Sequence, residues 1–184
     1  YNPNVKKFPY DPEKAKQMLA EAGWKDEDGS GILKKDGKPF EFTIIINQGN
    51  DLRKNAATII QSDLKKVGIK VNIRVIEWAA FLKNFINKRN FEVCLLGWGM
   101  SPDPSQIDIW NSKKISETEL NFVTYQNKEV DDLLDLGAST YDENERKKYY
   151  DRFQEIIAED QPYTFLFVAD SLPIISSRFQ GIDP

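Results

Sequence analysis

The sequence predicts an α/β domain built on a mostly parallel sheet flanked by helices, and three observations carry that reading. Apolar residues alternate with polar ones at Phe40, Phe42, Ile44 and Ile46, and again at Ile69, Val71, Ile73 and Val75, the period of a half-buried strand. Apolar residues then recur at helical spacing, first as Leu52, Ala56, Ile59, Ile60, Leu64 and Val67, then as Trp78, Phe81, Leu82, Phe85 and Ile86. A short apolar run, Phe91 to Leu96, is long enough for one buried strand and too short for a helix. A β-α-β-α-β order of this kind implies parallel strands joined by right-handed crossovers.

Tyr10 to Gly23 opens the chain with a helix marked at both ends. Asp11 can cap it, Pro12 suits its first position, Gly23 stops it, and Ala15, Met18, Leu19 and Ala22 form its apolar stripe. Asp26, Asp28, Ser30, Gly31 and Leu33 have the spacing of a calcium loop, but Gly37 stands where the closing bidentate Glu is required. A pair of turns is the simpler reading, with Asp36-Gly37 as a hairpin signal. After the three strand-helix units, Ile107 and Trp110 mark a short helix, and Asn121 to Tyr125 a short extended piece. Val130, Leu133, Leu134 and Ala138 predict a helix with Asp131, Asp132 and Asp135 on its solvated face. Thr140 and Glu143 have capping-box spacing ahead of a longer helix with Tyr149, Phe153, Ile156 and Ile157 buried. Tyr163–Val168 and Leu172–Ile175 read as apolar strands divided by Asp170-Ser171.

Composition narrows the function classes. At 184 residues one domain is expected, and 40% hydrophobic residues with 12% aromatics describe a globular chain. The net charge of −4 comes from well-mixed charges and offers no basic face for nucleic acid. The single cysteine, Cys94, lies in the Phe91 run and reads as an inert core thiol. The absence of histidine removes the commonest general base and the commonest metal ligand, so no catalytic residue, metal or cofactor is assigned. A hydrolase using Asp131 with Asp135, or Asp103 with Asp108, is the distant alternative, and no nucleophile elbow or phosphate loop supports it. No apolar run is long enough to span a membrane, and the start, Tyr1, carries no signal segment. With no initiating Met, the chain reads as a piece of a longer protein.

In parallel sheets ligands sit beyond the carboxyl ends of the strands. Those ends carry Asn47 to Asn50, Glu77-Trp78 and Gly97-Trp98-Gly99, so amides and indoles meet at one edge. Trp98, between glycines at the end of a strand and ahead of the Gly/Pro-rich loop, reads as a ligand wall. Trp78 fits either the core stripe of its helix or the cleft. Asp103 fits a helix cap or a ligand carboxylate contact, and Trp110 fits packing before ligand contact. Asn121 and Tyr125 complete the candidates as polar groups on the cleft side.

Segments running almost the whole chain carry a family likeness. They include YDPEKAKQMLAEAGW, DEDGSGILKKDGKPFEFTI, EWAAFLKNF, FEVCLLGWGMSPDP, IDIWNS, NFVTYQNKEVDDLL, ERKKYYDRFQEIIAEDQPY and FLFV, in that order. The chain resembles the C-terminal lobe of the family 5 extracellular solute-binding proteins, the peptide, nickel and opine receptors of ABC importers. The resemblance implies a three-layer periplasmic-binding-protein-like lobe, residues 1–184, from a two-lobe receptor that closes on ligand at a hinge. It implies oligopeptide capture and delivery to an ABC permease, with an oligosaccharide or a metal chelate as the alternative cargo. It also implies an extracellular, membrane-anchored or periplasmic location. By this likeness Trp78 and Trp98 match cleft-facing tryptophans, and Gly99 borders the cleft. An Asp that neutralises a peptide's α-ammonium in some members is Ser101 here, with Asp103 two residues on. An Arg that faces peptide in some members is Leu95.

Overall fold

The computed structural model describes residues 2–99, 102–168, 170, 175–176, 178 and 181. Helix α1 (Pro12–Glu21) begins where expected, with Asp11 accepting a 2.9 Å hydrogen bond from the Lys14 N–H. Ala15 and Leu19 pack inward, whereas Met18 and Ala22 are exposed, so α1 touches the domain along a narrower stripe than its spacing suggests. Strands β1 (Lys34–Lys35) and β2 (Lys38–Pro39) form a small antiparallel hairpin. Its turn places Asp36 and Gly37 at φ 52° and 72°, the geometry an Asp-Gly pair favours. The loop before it is closed by its own groups. Asp26 accepts from the Gly31 N–H at 2.9 Å and Asp28 pairs with Lys34 at 2.5 Å, which leaves these carboxylates engaged by the protein.

Strands β3 (Glu41–Asn47), β4 (Lys70–Ile76) and β5 (Val93–Cys94) form an all-parallel sheet in the order β4-β3-β5. Helix α2 (Asp51–Lys66) connects β3 to β4 and packs on one face with Ile44, Ile46, Val71 and Ala57. The opposite face carries Ile45 and Ile76 against Phe81 and Ile86. That double coverage explains why Ile44, Ile45 and Ile46 are all buried, where alternation alone predicts one exposed residue between two buried ones. Gly68 closes the α2–β4 connection at φ 82°, with Leu33 where a Cβ would lie only 2.7 Å away, so both backbone and packing require glycine.

The segment after β4 starts as a single α-turn, α3 (Trp78–Ala80), and widens into a π-helix over Phe81–Ile86. Helical spacing is visible in the sequence, but the wider turn is not. β5 is shorter than the apolar run predicts, pairing only Val93 and Cys94 with β3, followed by one bond from the Leu95 N–H to the Ile45 carbonyl at 3.1 Å. Helices α4 (Ile107–Trp110), α5 (Lys128–Ser139) and α6 (Glu143–Asp160) share a separate core of Ile109, Trp110, Val130, Leu134, Tyr150, Phe153, Ile156 and Ile157. Two local expectations shift by a residue or two. Tyr150 rather than Tyr149 is buried, and Asp142 rather than Thr140 caps α6, accepting from the Glu145 N–H at 2.8 Å. Tyr163–Val168 is not a strand. Tyr163 and Phe165 instead pack their rings on Trp110, while Val168 is 96% exposed. The expected strand at Leu172–Ile175 lies largely outside the described residues, as does Ser101.

Candidate ligand site at the sheet edge

Because the three strands run parallel, their carboxyl ends emerge along one edge. At β3, Asn47 accepts a 2.6 Å hydrogen bond from Arg53 and donates to the Gln48 carbonyl. At β4, Glu77 accepts from the N–H groups of Ala79 and Ala80 at 2.9 and 3.0 Å, fixing the start of the helix that carries Trp78. Those backbone donors hold the Glu77 carboxyl below the usual carboxylate range. Trp78 itself is 45% exposed and stacks on buried Phe81, with ring centroids 6.0 Å apart and an interplanar angle of 18°. It therefore has an inward face on the core and an outward one in solvent, so both readings of its spacing describe part of it.

At β5 the chain passes through Gly97 into Trp98 and Gly99. Trp98 is 36% exposed and stacks on Phe122 at 5.5 Å and 12°. Phe122 comes from the segment between α4 and α5, and it also packs on the core under the sheet. Burial pushes the Tyr163 hydroxyl up to about 12, with the nearby Trp98 side chain pulling the other way. Tyr163 in turn lies 4.5 Å from Trp110, so an aromatic series links the exposed indole to the helical core.

Trp110 is 4% exposed, enclosed by Tyr125, Tyr163 and Phe165, and lies behind the edge rather than on it. Asn121 is fully buried. Its amide donates to the Asn111 and Tyr125 carbonyls at 3.3 and 2.8 Å, and its oxygen accepts from the Tyr125 N–H at 2.9 Å. Tyr125 is half-buried and donates its hydroxyl to Asp160 at 2.5 Å; burial, then that carboxylate, raises its pKa. These three residues are engaged in holding the 107–125 segment, with Phe122 inside it. Asp103 accepts from the Ser105 N–H at 2.8 Å and pairs with Arg146 at 3.2 Å, and these partners hold its carboxyl below the usual range. It is not the N-cap of α4, which is Gln106. Leu95 packs with the α2 core. Of the other carboxylates offered for a hydrolase, Asp108 pairs with Lys114 and Asp131 accepts from the Ser112 N–H.

Cys94 lies beneath this edge. Burial pushes its thiol up to about 11, with Arg53 acting in the opposite direction. At pH 8 only ~0.1% of the folded thiol is then ionised, compared with roughly a quarter for an ordinary thiol. Iodoacetamide should therefore label the folded chain at least about a hundredfold more slowly than the urea-unfolded chain. Equal rates followed by mass spectrometry would contradict the burial.

Comparison with known proteins agrees with the α/β fold. Residues 1–119 match the family described as bacterial extracellular solute-binding proteins, family 5 Middle. The chain belongs to that family. Over 180 residues, 97% of the chain, it is 44% identical to the oligopeptide-binding protein AppA of Bacillus subtilis (strain 168), of which the match covers 33%. The solved structure of that family 5 protein with a nonapeptide superposes with a TM-score of 0.80 at 46% identity, covering 87% of this chain and 32% of that one. The oligopeptide-binding protein of Thermus thermophilus in complex with a pentapeptide gives 0.78 at 28% identity, with 88% and 30% coverage. A Thermotoga maritima family relative solved with mannohexaose gives 0.74 at 30% identity, with 84% and 30% coverage. The family 5 chain thus spans about a third of the length of the curated relatives it matches.

Arg53 and Phe122 are the site-edge residues that sequence reasoning did not single out. Phe122 had a faint signal, as the apolar residue beside Asn121. Arg53 had none, because it is one cation among many on a helix with a mixed polar face.

Proposed function

We propose that this chain is the C-terminal ligand-binding lobe of a two-lobe ABC-importer receptor that captures oligopeptides and delivers them to a membrane permease. The observation that carries the proposal is Trp98: an indole backed by Phe122 and open to solvent, at the carboxyl edge of a parallel sheet. Trp98 and Gly99 form the wall against which a ligand lies, and Trp78 adds a second indole from the neighbouring strand end. Trp110, Asn121 and Tyr125 support that wall from behind, and Asp103 flanks it through its pairing with Arg146. Peptide is preferred because the AppA relative, at 44% identity, is named for oligopeptides. An oligosaccharide is the second reading, since indole faces also suit sugar rings and one relative was solved with mannohexaose. The reading assigns no catalytic group, and it places the receptor outside the cytoplasmic membrane, anchored or periplasmic. No helix among the described residues is long and apolar enough to cross a membrane.

The test is tryptophan fluorescence of the receptor that contains this chain, titrated with a defined peptide library and with mannohexaose. Peptide should quench or shift the emission. Trp98→Ala should weaken binding by ~2 kcal/mol, about thirtyfold, because a stacked aromatic anchor is lost. Unchanged affinity in Trp98→Ala would remove the indole from the site, and a response to mannohexaose alone would select the second reading.

A further inference from the structure

One charged group at the sheet edge has no role in the reading above. Arg53 lies in the first turn of α2, where its backbone N–H is held by the Asn50 side chain at 2.9 Å. Its Nη1 donates to Asn47 at the end of β3 at 2.6 Å. Its Nη2 lies 3.7 Å from where a Cβ would stand on Gly97, the residue before Trp98. The guanidinium therefore bridges the carboxyl ends of β3 and β5. That is where the order β4-β3-β5 makes the chain leave the central strand first to one side and then to the other.

The remaining donors of this guanidinium have no acceptor among the described residues, and no carboxylate there pairs with it. Four other arginines, Arg74, Arg89, Arg146 and Arg152, are served differently. Arg146 and Arg152 each reach a carboxylate, Arg89 reaches backbone carbonyls, and Arg74 lies over the Phe85 ring. Arg53 is only half-exposed, so bulk water does not fully replace the missing partner. A planar fork of N–H donors held rigid at one end and open at the other matches a carboxylate in bidentate geometry.

We propose that Arg53 forms a carboxylate-binding subsite beside the Trp98 wall, taking either the C-terminal carboxylate of a bound peptide or an acidic side chain within it. This rests on the reading of the same edge as a solute site, and names one chemical feature of the solute.

Two measurements separate the proposal from that reading. In the first, N-acetylalanine and its amide are titrated into the isotopically labelled chain. The acid should shift the Gly97 amide resonance and the amide derivative should not. Arg53→Gln should abolish the shift, and Arg53→Lys should retain a weaker one. In the second, the receptor containing this chain is titrated with pentaalanine, pentaalanine amide and Ala-Ala-Glu-Ala-Ala amide, with thermal melts confirming that each variant is folded. Wild type should bind at least one carboxylate-bearing peptide about tenfold tighter than pentaalanine amide, and Arg53→Gln should erase that preference. Preference for pentaalanine identifies the terminal carboxylate, and preference for the Glu peptide identifies the side chain. Equal weakening of all three peptides by Arg53→Gln, equal binding by wild type, or an N-acetylalanine shift that survives the substitution would each overturn the subsite. A wild-type shift lost in Arg53→Gln, with no peptide bound, would keep the subsite and overturn the peptide reading instead.

Discussion

Phe81→Ala should destabilise the domain by about 3–5 kcal/mol, measured as a fall in the urea midpoint, because it empties a large fully buried site. Phe81 lies in the core between the sheet and the π-helix with Ile45, Ile76 and Ile86, and its ring is the support on which Trp78 stacks. The substitution therefore acts twice: it opens a cavity and removes the surface that sets the angle of the exposed indole. The folded fraction of Phe81→Ala should show changed Trp78 emission and weaker ligand response. Phe81→Leu, which refills most of the volume, should recover most of the stability and less of the emission. A loss below about 1 kcal/mol for Phe81→Ala would mean that the wide π turn closes on the cavity and that the ring is no rigid support for the indole.

Asn121→Ala should cost about 2–4 kcal/mol. The side chain is fully buried and serves two carbonyls and one N–H of the main chain, so its removal takes the partner from the Tyr125 N–H and carbonyl, while the Asn111 carbonyl keeps its bond from the Lys114 N–H. The bonds to Tyr125 close the turn that contains Phe122, whose ring backs Trp98. Ligand affinity should therefore fall even though Asn121 lies inside. Asn121→Asp should separate the parts, since its carboxylate can still accept from the Tyr125 N–H while losing both donor bonds. Full stability in Asn121→Ala would show that water fills the gap and that the turn does not depend on this amide.

These two residues also show where sequence reading succeeds and where it stops. The strand ends were legible because alternation at Phe42, Ile44 and Ile46 fixes a strand, and the amides and indoles follow directly in the chain. The supports were not. Phe81 falls on a stripe that an α-helix and a π-helix share, so the spacing reveals its burial but not the turn that carries it. Asn121 reads as a polar group available to ligand because nothing local reveals that its partners are Asn111 and Tyr125. At α6 two capping residues compete within three positions, and Asp142 prevails over Thr140. Tyr163–Val168 has a strand's composition, but its aromatic rings pack on Trp110 and among the described residues it joins no ladder. Arg53 becomes a site residue only when β5 returns beside β3, a contact more than forty residues apart in the chain.

The unequal ladders on either side of β3 have a kinetic consequence. β4 is paired along seven positions, from Glu41 with Lys70 to Asn47 with Ile76, whereas β5 is paired at two. β3, α2 and β4 are contiguous in the chain and can assemble without closing a long loop, so they suit an early folding unit. With its two-residue ladder, β5 should join later and open first, by local fluctuation rather than global unfolding. The indole wall hangs from that late-joining strand. A solute that clasps Trp98 would therefore add order where the sheet holds itself least, converting a transiently opening margin into a latched one.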